Sequence, residues 1–188
     1  MDSPLLYKPH PALFPLALLG GFTGTVLLTA SLHFAAAVGV TVLDLPRLLG
    51  AVGSNDPDTI FGVGYAMFVV IGVFILPLAL ALLWPITPGD RFTFRGAATK
   101  GALWGLVLFV LGGILLPVLD VLNGSSAPRV LEPGPFGGAL GMSGPLQLFV
   151  GTQIYSLTTA VVAGMARGLQ PLDAVGWGWW SHGSGESP

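Results

Sequence analysis

The sequence predicts an all-α, polytopic membrane protein of four transmembrane helices arranged as two hairpins. Three observations predict it. Charged residues make up 9% of the 188 residues and apolar ones 53%, whereas soluble domains carry about 25% charged residues; lipid is therefore the main solvent. The apolar residues gather in four runs, each near the roughly 20 residues needed to cross a bilayer. None of the runs alternates with the period of a strand, and a helix satisfies its own backbone in hydrocarbon.

The first span is expected at 15–42, from Pro15 to Val42. The second is expected at 60–83, ending before Trp84-Pro85. The third is expected at 98–122 and the fourth at 144–166. They form one transmembrane domain over 15–168, between a short segment at 1–14 and a Trp/Gly-rich tail at 169–188. Residues 1–15 hold Asp2, Lys8 and four prolines, which is not the pattern of a cleavable leader, so the first span is expected to stay in place. Lys8, Arg91, Arg95, Lys100 and Arg167 fall on one side of the spans, against Arg47 and Arg129 on the other. By the positive-inside rule both termini are cytoplasmic, and Trp177, Trp179 and Trp180 lie near that interface. The expected location is the bacterial inner membrane.

Two long connections lie on the outer side. The first, LDLPRLLGAVGSNDPD from Leu43 to Asp58, is expected to hold a short interfacial helix over Leu45–Val52. The second, Asn123–Ser143, is rich in Gly, Pro and Ser and is expected to be irregular. Asp44, Asp56, Asp58, Asp120 and Glu132 make this face mildly acidic, which suits a basic external electron carrier. VLD at 42–44 and 118–120 hints at a repeat of the two hairpins about an axis along the membrane normal.

Net charge is −2 and cysteine is absent. The first gives no basis for nucleic-acid binding; the second removes disulfides, thiolate metal sites and cysteine nucleophiles. No phosphate loop or HExxH is present, so an autonomous enzyme is not expected. Five groups of residues remain. His33, mid-span in LLTASLHFAAA, is the one histidine within a span; an ionisable residue at that depth is a functional candidate, as a haem or chlorophyll ligand or as a neutral, hydrogen-bonded side chain. No intrinsic cofactor is expected beyond such lipid, pigment or haem contacts. Asp44 and Asp120 stand at matching outer ends of the first and third helices. They read as paired carboxylates on a cation path or as turn-capping residues, Asp44 having Arg47 three residues on. Gln153 and Ser156 make the fourth helix the most polar, with Tyr155 between them, and suit bonds between helices. The pairs Gly20/Gly24, Gly101/Gly105 and Ala160/Gly164 are spaced for close helix approach. Pro77 and Pro117 lie within spans and free a carbonyl one turn earlier.

Read in order, GGFTGT at Gly20–Thr25, LDLPRLLGAVG at Leu43–Gly53, FRGAATKGALWGLVLFV at Phe94–Val110, PFG at Pro135–Gly137 and the closing Tyr155–Gly164 resemble a family of small four-helix bacterial and archaeal membrane proteins of unassigned function. That family is similar to accessory partners of membrane redox complexes. The resemblance implies histidines in the second and fourth helices, where this chain has Tyr65-Ala66-Met67-Phe68 and Gln153-Ile154-Tyr155. It therefore implies a structural rather than a cofactor-carrying role. The expected function is a non-catalytic accessory subunit of a respiratory or photosynthetic electron-transfer complex, packing against other membrane subunits and lipids. A small oligomeric transporter or channel is the alternative.

Overall fold

The computed structural model describes residues 12–54, 56–88, 93–122 and 134–165, with Pro57, Asp120 and Leu122 described in the backbone only. Lys8, Arg91, Arg129, Glu132, Arg167 and the tail tryptophans lie outside the described residues. The described chain is helical. Four of its helical stretches are long and apolar enough to cross a membrane: Leu13–Ala37, Asp58–Leu83, Phe94–Leu119 and Ser143–Gly164. By length and composition this is a multi-pass membrane protein.

Helix α1, Leu13–Ala37, stops five residues short of the expected Val42. Gly39 adopts φ 82°, a conformation cheap only for glycine. Its N–H bonds to Ala36 O and that of Val40 to Ala35 O, both at 3.0 Å, which closes the helix with a Schellman cap. This early stop has two consequences. His33 stands in the last turn or so of α1, not at mid-span. Asp44, which the sequence placed at the end of the first helix, instead opens the next one. It is the N-cap of α2, Leu45–Gly53, and accepts from Arg47 N at 3.1 Å. A carboxylate is favourable there, where it would be unfavourable at a helix C-terminus.

The second span is built from α3, Pro57–Val70, a wide π turn at Ile71–Ile75, and α4, Leu76–Leu83. Asp56 caps α3, accepting from Asp58 N at 3.2 Å. The third span is α5, Phe94–Leu122, continuous through Pro117. The fourth is α6, Ser143–Gly164. Before it, Pro135–Leu140 forms a tight helical segment where the sequence suggested irregular loop. Phe136 there has φ 56°, and its ring is seated against Gly113 of α5 and 5.1 Å from the Phe109 ring.

The spans pack in the spatial order second, first, fourth, third, and the second and third share no extended contact. Burial agrees: 33% and 39% of the first and fourth spans' most apolar windows are buried inside the chain, against 22% and 17% for the second and third. Small residues set this order. A Cβ on Gly20 would stand 2.8 Å from Thr159 O, one on Gly24 2.9 Å from Tyr155 O, and one on Gly101 2.9 Å from Ala160 Cβ. With Ala160 and Gly164 also buried, α6 lies backbone-close to both α1 and α5.

Two apolar clusters close the ends. Leu43, Leu48, Leu116 and Leu148 gather at the end capped by α2. Leu13, Ala17, Leu80, Trp84, Ala97 and Ala163 gather at the other, with neighbours on four elements. Lys100 is fully buried in that second region. The sequence counted it as a loop charge. Its ammonium instead donates to Trp84 O at 3.1 Å and to Thr87 O, and lies 5.4 Å from the Trp84 ring centroid. A cation over the carbonyls that end a helix is well placed against the helix dipole.

Candidate functional site

Two cavities organise the residues of interest. The first, about 280 Å³, lies between the last turns of α1 and the start of α3 at the α2 end; Thr29, His33, Asp44, Pro46, Phe61, Tyr65 and Phe68 line it. Two candidates that the sequence placed at mid-span and at a helix end, His33 and Asp44, thus share one cavity. The shortened α1 brings this about, because the chain turns back at Gly39 and returns Asp44 to the level of His33.

His33 Nδ1 hydrogen-bonds to Thr29 O at 2.8 Å, within its own helix. A carbonyl only accepts, so the neutral ring carries its proton on Nδ1 and Nε2 offers a lone pair. Among the described residues Nε2 has no partner, and the side chain is exposed. Asp44 holds Arg47 through Nε at 3.5 Å, with its own side chain 31% exposed. Opposite stand Phe61, Tyr65 and Phe68, spaced four and three residues apart on one face of α3. The Phe61 and Tyr65 rings are stacked 6.0 Å apart at 27°, and Tyr65 and Phe68 are 6.4 Å apart. The sequence marked Tyr65 and Phe68 only as places without histidine; the helical spacing of the three rings was the signal that could have marked them as a wall.

One residue fixes this geometry from a distance. Gln147, in the first turns of α6, accepts from Leu43 N at 3.1 Å through Oε1 and donates to Thr41 O at 2.5 Å through Nε2. Both groups belong to the non-helical stretch that delivers Asp44, and neither has a helical partner. Gln147→Leu is expected to lower stability by about 1–3 kcal/mol, the cost of unpairing such groups. Hydrogen exchange at the Leu43 amide checks it: protection equal to that of the parent chain would show that Gln147 does not hold the stretch.

The second cavity, also about 280 Å³, is a cleft between the second and third spans. Phe68, Ile71, Leu76, Leu108, Leu111 and Leu115 form its sides, Leu45 and Leu49 its α2 end, and Thr25, Thr152 and Tyr155 its floor. Tyr155 is buried, and its hydroxyl donates to Gly72 O at 2.6 Å. The reason is local. In the π turn, Leu76 N–H reaches back five residues to Ile71 O, so the next donor due is residue 77, to Gly72 O. Residue 77 is proline and has no N–H. Tyr155 supplies the missing donor from another helix.

The remaining candidates are not brought together. Gln153 packs over Gly105, a Cβ on which would be 2.6 Å from Nε2, and its amide reaches Ala102 O at 3.5 Å, at the limit of a bond. Ser156, expected to bond across helices, is fully buried with no partner for Oγ among the described residues; Gly101 packs against the same turn, where a Cβ would stand 2.9 Å from Ser156 O. The Asp120 side chain lies outside the described residues, so its pairing with Asp44 does too. No group of three or more His, Asp or Glu is arranged to hold a metal among the described residues.

Residues 13–123 match the model of a family of unknown function, DUF6789. No curated protein and no solved structure matches the chain.

Proposed function

The chain belongs to the DUF6789 family, and from that premise we propose that it is a non-catalytic accessory subunit of a larger membrane electron-transfer complex. The observation that carries the subunit role is the cleft between the second and third spans. These two spans share no extended contact along their length and meet at one end, where Lys100 bonds to Trp84 O and Thr87 O; the third span presents Leu111 (49% exposed) and Leu115 (51% exposed) beside the cleft. In lipid, helices associate by close packing rather than by escape from water. A cleft lined by leucines, with a backbone-close pair of helices as its floor, is a shape into which large side chains of a partner's transmembrane helix fit.

The electron-transfer part rests on the resemblance of the sequence pattern to partners of membrane redox complexes. In this reading the spans form two hairpins, both termini are cytoplasmic in a bacterial inner membrane, and the α2 end faces outward. Asp44, Asp56 and Asp58 then contribute to an acidic face suited to a basic carrier.

Purification of the tagged native protein in mild detergent, with mass spectrometry and a visible spectrum on the same fraction, tests this. Co-purifying redox subunits in fixed ratio with haem or chlorophyll bands are expected. Leu115→Trp, which fills the cleft from a half-exposed position, is expected to release them while leaving the chain folded. A chain that purifies alone and colourless, or a complex indifferent to Leu115→Trp, overturns the assignment.

A further inference from the structure

We propose that the cavity between α1 and α3 binds a lipid-soluble aromatic ring bearing hydroxyl groups, the chemistry of a quinol headgroup. Four observations meet there. The cavity, about 280 Å³, lies just below the small end of ordinary ligand pockets, about 300 Å³, and takes one substituted ring rather than a macrocycle. Its α3 wall is a row of rings, with Phe61 and Tyr65 stacked, and flat rings pack on such a wall by offset stacking. The polar atoms facing it are chiefly acceptors. His33 is held by Thr29 O so that Nε2 presents a lone pair, and Asp44, also in the lining, has one oxygen, Oδ2, that does not serve the α2 cap and keeps lone-pair capacity beside its 3.5 Å contact with Arg47 Nε. The Tyr65 hydroxyl can give or take a bond. A ligand that satisfies this set brings O–H donors, so the hydroxylated form of a ring fits better than its carbonyl form.

The other lipid headgroups fit less well. Arg47 holds Asp44 at 3.5 Å and offsets its charge, which leaves little to attract an ammonium. Arg47 itself does not line the cavity, so a phosphate would find no cation inside. The location follows from the fold: His33 and the aromatic row sit near the ends of membrane-spanning helices, where a ring on an apolar tail reaches polar groups without leaving the lipid.

This inference concerns the chain by itself and does not depend on the accessory-subunit assignment. The test uses the purified full-length protein in phosphatidylcholine nanodiscs, titrated separately with decylubiquinol and decylubiquinone by calorimetry. The quinol is expected to bind about tenfold more tightly, the worth of one well-made hydrogen bond. His33→Phe keeps a ring of similar size at an exposed position and removes the acceptor; it is expected to weaken quinol binding about tenfold and leave quinone binding unchanged. Equal affinity of the wild-type chain for the two forms overturns the proposal without recourse to any variant. So does quinol binding that His33→Phe leaves intact, or competition by a lysophospholipid for the same site.

Discussion

Gly64→Ala is expected to destabilise the protein by about 3 kcal/mol, at the upper end of overpacking costs, while Gly62→Ala two residues away is expected to be neutral or stabilising. Helices α2 and α3 cross with their backbones in contact. A Cβ on Gly64 would overlap the Pro46 carbonyl and stand 2.7 Å from Gly50 N; one on Gly50 would overlap the Ile60 carbonyl. Main-chain atoms cannot rotate aside as a side chain can, so a single methyl forces the helices apart. Gly50→Ala is expected to act alike, and the two together to cost less than their sum, because one separation relieves both overlaps. Around Gly62 there is nothing within 4 Å, and alanine in a helix gains up to about 1 kcal/mol over glycine. Thermal unfolding in detergent distinguishes the two sites. Equal midpoints for Gly64→Ala and Gly62→Ala would show that α2 is not seated on α3. Because Asp44 and Pro46 line the His33 cavity, loss of this seat is also expected to open that cavity.

Tyr155→Phe is the second change with a large expected effect, about 2 kcal/mol. The typical side-chain bond between membrane helices is worth about 0.6 kcal/mol, since its partners find substitutes when it is lost. The Gly72 carbonyl has no substitute. Proline stands where the next backbone donor would be, the cleft beside it is lined mainly by leucine, and its two threonines, Thr25 and Thr152, already donate to carbonyls of their own helices. An unpaired buried carbonyl costs about 1–3 kcal/mol. The argument can be tested by restoring a donor. Pro77→Ala supplies an N–H toward the same turn, so in that background Tyr155→Phe is expected to cost well under half as much. A double-mutant cycle on unfolding free energies reads this directly. Strict additivity would mean that Tyr155 does not stand in for the missing amide. The same cycle reports on helix order, since the bond ties the fourth span to the second across α1.

Much of the architecture was legible because lipid makes the rule simple: each span must be long, apolar and internally bonded, and composition alone reveals that. The small-residue pairs were legible for a similar reason, since a four-residue spacing of glycines fixes a smooth stripe whatever packs on it. The sites were not. His33 looked like a mid-span residue because Gly39 sits in a run as apolar as the helix before it, and hydropathy does not register a left-handed turn. Asp44 looked like the end of the first helix for the same reason, although its reading as a capping residue fits its place before α2. Gln147 and Tyr155 stand out in the sequence only as polar residues of an apolar helix, and nothing local marks their partners, Thr41 with Leu43 and Gly72, which are 83 to 106 residues away.

By itself the sequence determined the solvent of this protein, the number of its spans and which faces of them are smooth, all properties of a residue and its near neighbours. Only the tertiary structure decided the order of the spans, the cleft left between the second and third, and the meeting of His33, Asp44 and the aromatic row. Those depend on where the chain turns and which backbones touch, and in a bilayer, where every apolar face is equally soluble, shape and a few buried donors make that choice.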